Sequence, residues 1–236
     1  MCTIHTSETV SLSDWVSRHQ VAIALLWTGL ALVALVITPL MLRTTTPIFQ
    51  MFWLTVPLIS LVRHRDTNRV GFRTPDRGPG LRAAVAAGIA YAILLILVEP
   101  WSGVYDRLLI LALESPDPTF AWVVRIDGVG GWVGLALFSG FVTLYSEELF
   151  FRGWLLQTLN RRTQPRVAII GQAVVFTLFQ SIPVFFFEPF QAALYLLMYA
   201  FGLGVIVGAA AQRTQSIWPG LAVVTVANLV LTAILI

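Results

Sequence analysis

The stretch Ser146–Trp154 most constrains this chain, because it sets two adjacent glutamates and an arginine at the end of an apolar run that begins near Gly131. Charges in hydrocarbon cost several kcal/mol each and are usually functional. On an α-helix Glu148 and Arg152 share a face and can pair, whereas Glu147 points about 100° away. We therefore expect Arg152 to hold one carboxylate while Glu147 faces a cavity. The simpler alternative is a helix end whose charges reach the lipid headgroups.

The composition indicates an integral membrane protein. Of 236 residues, 57% are hydrophobic and only 11% are charged, against about 25% charged in a typical soluble domain. Because a backbone in lipid must satisfy its own hydrogen bonds, this composition predicts an all-α, polytopic transmembrane helical bundle. The single cysteine excludes an internal disulfide. The chain has fifteen arginines and no lysine, and the arginines fall mainly in the loops between the apolar runs, so we expect a lipid bilayer and no nucleic acid as partner.

Seven apolar runs predict about seven membrane spans. In chain order they are Val21–Leu42, Ile48–Val62, Leu81–Val98, the run from Gly131 into the glutamates, Val167–Phe187, Phe190–Ala211 and Ile217–Ile236. The second run is short, and we expect Pro57 to kink it. The runs divide the chain into a polar segment at 1–20, N-terminal spans at 21–130 and a core at 131–236.

The placement of arginines predicts the orientation of these spans. The loops 63–82 and 152–166 contain ten of the fifteen arginines, and cytoplasmic loops carry such an excess. We therefore expect a multi-pass protein of the cell (plasma) membrane with a cytoplasmic N-terminus. The more acidic segment 99–130 then lies outside, with a short interfacial helix around Tyr105–Leu113.

Two amides in the last spans are candidate site residues, since a purely lipid-facing helix needs no polar side chain. At 1.5 Å per residue, Gln180 lies about 20 Å and Asn228 about 16 Å from the cytoplasmic ends of their helices. Both depths allow contact with a cavity that contains the glutamates. The alternative is that each amide only joins neighbouring helices, which contributes about 0.6 kcal/mol.

Motifs on three of the apolar runs carry a family resemblance. They are Glu147-Glu148-x-x-x-Arg152, Phe176-x-x-x-Gln180 and, in the last run, Asn228. Their order resembles the CPBP (Abi) family of intramembrane proteases, which includes the CAAX prenyl endopeptidases and bacteriocin-immunity proteins. The resemblance covers roughly residues 131–228, and Arg69–Arg73 also resembles a loop of the family. It implies a hydrolase that cuts a hydrophobic or lipid-modified peptide at the membrane.

Two positions depart from the family pattern. Gln180 stands where the second motif has a histidine, and Val224 stands where the third motif has one. The chain's histidines, all outside the motifs, are His5, His19 and His64. Because zinc commonly takes three protein ligands and valine cannot be one, we expect no metal and no other cofactor.

The resemblance implies that Glu147 activates a water molecule for attack on the peptide bond. We expect Arg152 to hold Glu148 ionised, while the amides of Gln180 and Asn228 stabilise the oxyanion. One such donor contributes about 2.7–4 kcal/mol in a measured enzyme. These five residues are the candidate catalytic set.

The missing histidines leave a second hypothesis open. A degenerate family member would bind membrane peptides without cutting them, as a bacteriocin-immunity or chaperone-like protein. A residual, glutamate-dependent endopeptidase is the first hypothesis. A transporter is disfavoured, because the sequence contains no repeat halves and no paired interrupted spans.

Overall fold

The computed structural model describes residues 22, 26, 56–62, 70–75, 78–113, 128–181, 184 and 187–235, and this part of the chain contains helices and no strand. Residues 56–62 are helical. The other helices are α1 (Pro79–Ser102), α2 (Val104–Leu113), α3 (Gly128–Thr143), π1 (Leu144–Leu155), α4 (Leu156–Asn160), α5 (Pro165–Phe179), α6 (Pro189–Leu194), π2 (Tyr195–Gly202), α7 (Leu203–Thr214) and α8 (Trp218–Leu235). The predicted all-α class is confirmed for these residues. The first predicted span, apart from residues 22 and 26, and most of the second lie outside them.

The helix that contains the third apolar run extends beyond the run. The run was expected to end at Val98, but α1 continues to Ser102 and ends at Gly103, which takes a left-handed conformation. Glu99, expected in the external segment, is therefore a helical residue and only 5% exposed. The helix expected around Tyr105–Leu113 is confirmed as α2.

Two long apolar helices are suited to crossing a membrane. They are Pro79–Ser102, with 24 residues, and Pro189–Thr214, with 26 residues, so each exceeds the roughly 30 Å of a bilayer's hydrocarbon core. They pack antiparallel, since Gly80 at the start of the first lies against the Arg213 carbonyl at the end of the second. Shorter apolar helices cover Pro165–Phe179 and Trp218–Ala227. The seven-span count stays a prediction.

Glycines bring α7 close to α5. A Cβ on Gly204 would lie 3.1 Å from the Cα of Ala173, and one on Gly208 would lie 2.6 Å from Oε1 of Gln172. Small residues at such positions let helix backbones approach closely, which favours association in lipid. This contact fixes α5, and with it Gln180, against the long helix that contains α7.

A short loop fastens π1 to the start of α8. The backbone N–H of Ile217 donates to the carbonyl oxygen of Gly71 at 3.0 Å, and Gly71 has a φ of +77°, which favours glycine. The carbonyl oxygen of Val70 lies only 2.4 Å from where a Cβ on Gly153 would stand. Residues 70–72, here called the clasp loop, can therefore reach π1 only because position 153 has no side chain.

We expect Gly153→Ala to lower the free energy of unfolding by about 1–3 kcal/mol, because the new methyl group must displace backbone of the clasp loop. Gly134→Ala is the matched control, since a Cβ there meets nothing within 4 Å. It should not destabilise the protein, because alanine in a helix interior is about 0.5–1 kcal/mol more favourable than glycine. Unfolding in mixed micelles measures both. Equal stabilities would show that the clasp loop is not seated against Gly153.

Candidate active site

The glutamate pair and Arg152 lie on a π-helix, where an α-helix was predicted. Backbone hydrogen bonds in a π-helix join residues five apart, and such turns are frequent at functional sites. Every residue of the stretch 148–156 is buried. Local propensity does not favour π turns, so tertiary packing around these side chains is the physical reason for the departure.

Glu148 and Arg152 form the expected ion pair. Nη1 of Arg152 lies 3.5 Å from Oε1 of Glu148, and both side chains are 0% exposed. The guanidinium also lies over the ring of Phe176, 4.1 Å from its centroid, a favourable cation–π contact. Neither the carboxylate oxygens nor the guanidinium nitrogens have a hydrogen-bond partner among the described residues. The attraction between the two charges therefore has to offset most of their desolvation.

The first turn of α8 lies directly against Glu148. A Cβ on Gly220 would stand 3.0 Å from Oε2 of that carboxylate. The backbone N–H of Trp218 donates to the hydroxyl oxygen of Ser216 at 3.3 Å, which caps the start of α8. Because the N-terminal end of a helix carries partial positive charge, it favours a carboxylate at this place. Arg152 and α8 thus hold Glu148 from two sides.

Glu147 occupies a different environment from its neighbour. Its side chain is partly exposed, and its Oε1 accepts a hydrogen bond from Nε2 of Gln180 at 2.9 Å. Gln180 is the residue that caps the C-terminal end of α5, so this bond joins π1 to α5. The carboxylate of Glu148 is therefore fully buried and paired with Arg152. The carboxylate of Glu147 is partly exposed, and the amide of Gln180 orients it.

Tyr195 is a neighbour of this site that the sequence analysis missed. At the start of π2, its hydroxyl donates a long hydrogen bond of 3.5 Å to Oε1 of Gln180. The side-chain amide of Gln180 therefore accepts a hydrogen bond from Tyr195 through its oxygen and donates one to Glu147 through its nitrogen. A tyrosine in an apolar run does not stand out from other aromatic residues, and no motif marked this one.

Helix α8 carries two positions of the third motif, and the structure describes the side chain of one of them. Val224 lies one turn beyond Gly220 on α8 and is 5% exposed, so an apolar side chain stands where the resemblance implies a histidine. Asn228 belongs to the same helix, but its side chain lies outside the described residues. The structure thus brings together four of the five predicted site residues in two contacts, Glu147 with Gln180 and Glu148 with Arg152.

The donor set at this site is poor in metal ligands. Among the described residues, no group of three histidine, cysteine, aspartate or glutamate side chains is placed to hold a metal ion. All three histidines of the chain lie outside the described residues. What the described side chains can supply is a carboxylate base, amide hydrogen-bond donors and a fixed positive charge.

A second buried carboxylate has a structural role. Glu99 accepts hydrogen bonds from the backbone N–H groups of Tyr105 at 2.8 Å and Asp106 at 3.0 Å. Its other oxygen accepts from the hydroxyls of Tyr199 at 2.5 Å and Ser102 at 3.3 Å. Both oxygens therefore have partners, and Glu99 ties the end of α1 to α2 and π2.

Comparison with known families covers the region that contains the site. Residues 129–230 match the family model described as Type II CAAX prenyl endopeptidase Rce1-like. No curated protein and no solved structure matches the chain. The matched region includes π1, α5 with its C-terminal cap Gln180, and α8 as far as residue 230, so it contains every candidate site residue.

Proposed function

We propose that this chain belongs to the CPBP and CAAX protease family of membrane endopeptidases, whose model matches residues 129–230, and that it hydrolyses a peptide bond by a glutamate-dependent mechanism. The contact between Glu147 and Gln180 is the observation that carries this proposal. It leaves one partly exposed carboxylate in a fixed orientation beside the buried pair of Glu148 and Arg152. A carboxylate so placed is suited to act as general base on water.

In the proposed reaction the Glu147 carboxylate takes a proton from water while the water oxygen bonds to the substrate's carbonyl carbon. The carbon–nitrogen bond of the tetrahedral intermediate then breaks, and Glu147 returns the proton to the leaving amine. Gln180 keeps the base oriented. We assign the amide of Asn228 to the oxyanion, and the pair of Glu148 and Arg152 to holding π1 in place.

The substrate class is a hydrophobic or lipid-modified peptide at the membrane. The family description names prenyl endopeptidases, so a prenylated peptide is the first substrate to test. Protein reconstituted in vesicles is incubated with that peptide and with its unprenylated form, and the fragments are identified by mass spectrometry. Cleavage of either peptide supports the proposal, whereas tight binding without fragments favours a non-cutting binder.

We expect Gln180→His combined with Val224→His to raise the cleavage rate about 10²–10⁴-fold, the usual contribution of an acid–base group. The physical reason is that imidazole can both donate and accept a proton, which neither an amide nor valine does. The control combines Gln180→His with Val226→His, because Val226 is on the same helix but 56% exposed. An equal rate in the two double variants would argue against a catalytic role for position 224.

The protein is an integral membrane protein, and we propose a multi-pass arrangement with about seven spans and a cytoplasmic N-terminus. The support is the content of the loops 63–82 and 152–166, which hold ten of the fifteen arginines and would face the cytoplasm. The cell (plasma) membrane is the proposed location. The clasp loop, which contacts π1 at Gly153, would then lie on the cytoplasmic side.

A further inference from the structure

The fold gathers several helix ends at one end of the bundle. The start of α1 meets the end of α7, because a Cβ on Gly80 would stand 3.3 Å from the carbonyl oxygen of Arg213. The end of α4 joins them through a hydrogen bond from Asn160 Nδ2 to Oε1 of Gln212. The clasp loop and the start of α8 lie at the same end, joined by the Ile217 bond described above.

Arginines from separate segments are exposed at this end, here called the basic face. They are Arg73, Arg82, Arg161, Arg162, Arg166 and Arg213. The acidic residues among the described part of the chain lie elsewhere. Glu99 and Asp106 are at the opposite end of α1, Glu188 precedes α6, and the glutamate pair is within π1. Within the described ranges, the basic face therefore carries charge of one sign.

The depth of this face is set by the two long apolar helices. Arg82 lies in the first turn of Pro79–Ser102, and Arg213 lies in the last turn of Pro189–Thr214. These are the places where a membrane-crossing helix leaves the hydrocarbon and meets the headgroups. Trp218 is 40% exposed at the same end and packs on Phe72 with ring centroids 5.7 Å apart, and aromatic residues concentrate at this level of a bilayer.

We propose that the basic face binds the phosphate groups of anionic phospholipids in the leaflet that it adjoins. Arginine suits this ligand, because its guanidinium presents several donors in a plane and pairs with phosphate oxygens. A soluble nucleic acid is a poorer fit, because the arginines border apolar helices at bilayer depth. The proposal needs membrane insertion but not proteolysis, so it stands or falls separately from the proposed enzymatic activity.

The test uses the full chain in mixed micelles with added phosphatidylglycerol or phosphatidylcholine, and native mass spectrometry counts the lipids retained. We expect at least about a tenfold preference for phosphatidylglycerol at low salt, since each basic residue near such lipids adds attraction. The preference should fall in high salt, because these charges are exposed and screened. Inorganic phosphate at the same concentration should not displace the lipid; if it does, the face is a site for free phosphate and the proposal fails.

A set of variants localises the effect. The combination Arg82→Gln, Arg161→Gln, Arg166→Gln and Arg213→Gln should reduce the preference to about twofold or less. The single change Arg161→Gln should weaken the preference for phosphatidylglycerol more than Arg107→Gln does. The latter removes the same charge from α2, near the end of the bundle opposite the basic face. A preference that survives both the fourfold variant and high salt overturns the proposal. If the fourfold variant does not fold, equal retention by the two single variants overturns it as well.

Discussion

Glu147→Gln is expected to lower the rate of peptide-bond hydrolysis about 10²–10⁴-fold, the usual contribution of a general base. Glutamine keeps the size of the side chain and an oxygen that can accept the bond from Nε2 of Gln180. It cannot take a proton from water at neutral pH. Initial rates of the reconstituted variant on a prenylated peptide, relative to the unchanged protein, measure the effect.

Glu188→Gln is the matched control for this experiment. Glu188 is exposed in the turn before α6, and it makes no contact with the candidate site in the described structure. Glu188→Gln changes the net charge by the same amount as Glu147→Gln. As a surface substitution it should change the stability by less than about 0.5 kcal/mol, and we expect the rate to stay within about a factor of two. An active Glu147→Gln variant would mean that another group activates the water.

Arg152→Met is expected to destabilise the protein by about 3–5 kcal/mol, because it strands a buried carboxylate without its cation. Glu148 is 0% exposed, and its oxygens have no other described hydrogen-bond partner. Loss of the cation–π contact with Phe176 adds to the effect. Unfolding monitored by circular dichroism in mixed micelles gives the free energy.

A second variant separates charge from packing at this pair. Combining Glu148→Gln with Arg152→Met removes both charges, and replacing a whole buried pair by neutral groups is often nearly neutral in stability. We therefore expect the double variant to be more stable than Arg152→Met alone. If both variants are equally unstable, the arginine acts through its contacts with aromatic rings and the ion pair contributes little.

The course of the helices could be predicted from hydropathy, but their exact ends could not. The apolar run ending at Val98 gave no sign that Glu99 continues the helix, because a charged residue normally marks the end of a span. Its burial depends on hydrogen bonds from Tyr105 and Tyr199. The partner on π2 is 100 residues away in sequence, and a pattern of local residues does not reveal such a distant contact.

Much of the candidate site followed from motif order. The pairing of Glu148 with Arg152 was readable from a spacing of four residues, although the local turn is a π-helix. The wider π turn depends on packing around all sides of residues 148–156, which are buried. The spacing of residues in the sequence does not predict this packing. The contact of Tyr195 with Gln180 and the fit of the clasp loop at Gly153 arise from packing between separate segments. Neither had a local signal in the sequence.

Hydrolysis in water labelled with heavy oxygen tests the central claim most directly. The reconstituted protein is incubated with a prenylated peptide in this water, and mass spectrometry measures the mass of the fragment that carries the new carboxyl terminus. The account predicts a cut peptide carrying one heavy oxygen, produced by the unchanged protein and lost in Glu147→Gln. An intact peptide from both the unchanged protein and the variant with Gln180→His and Val224→His would contradict the account.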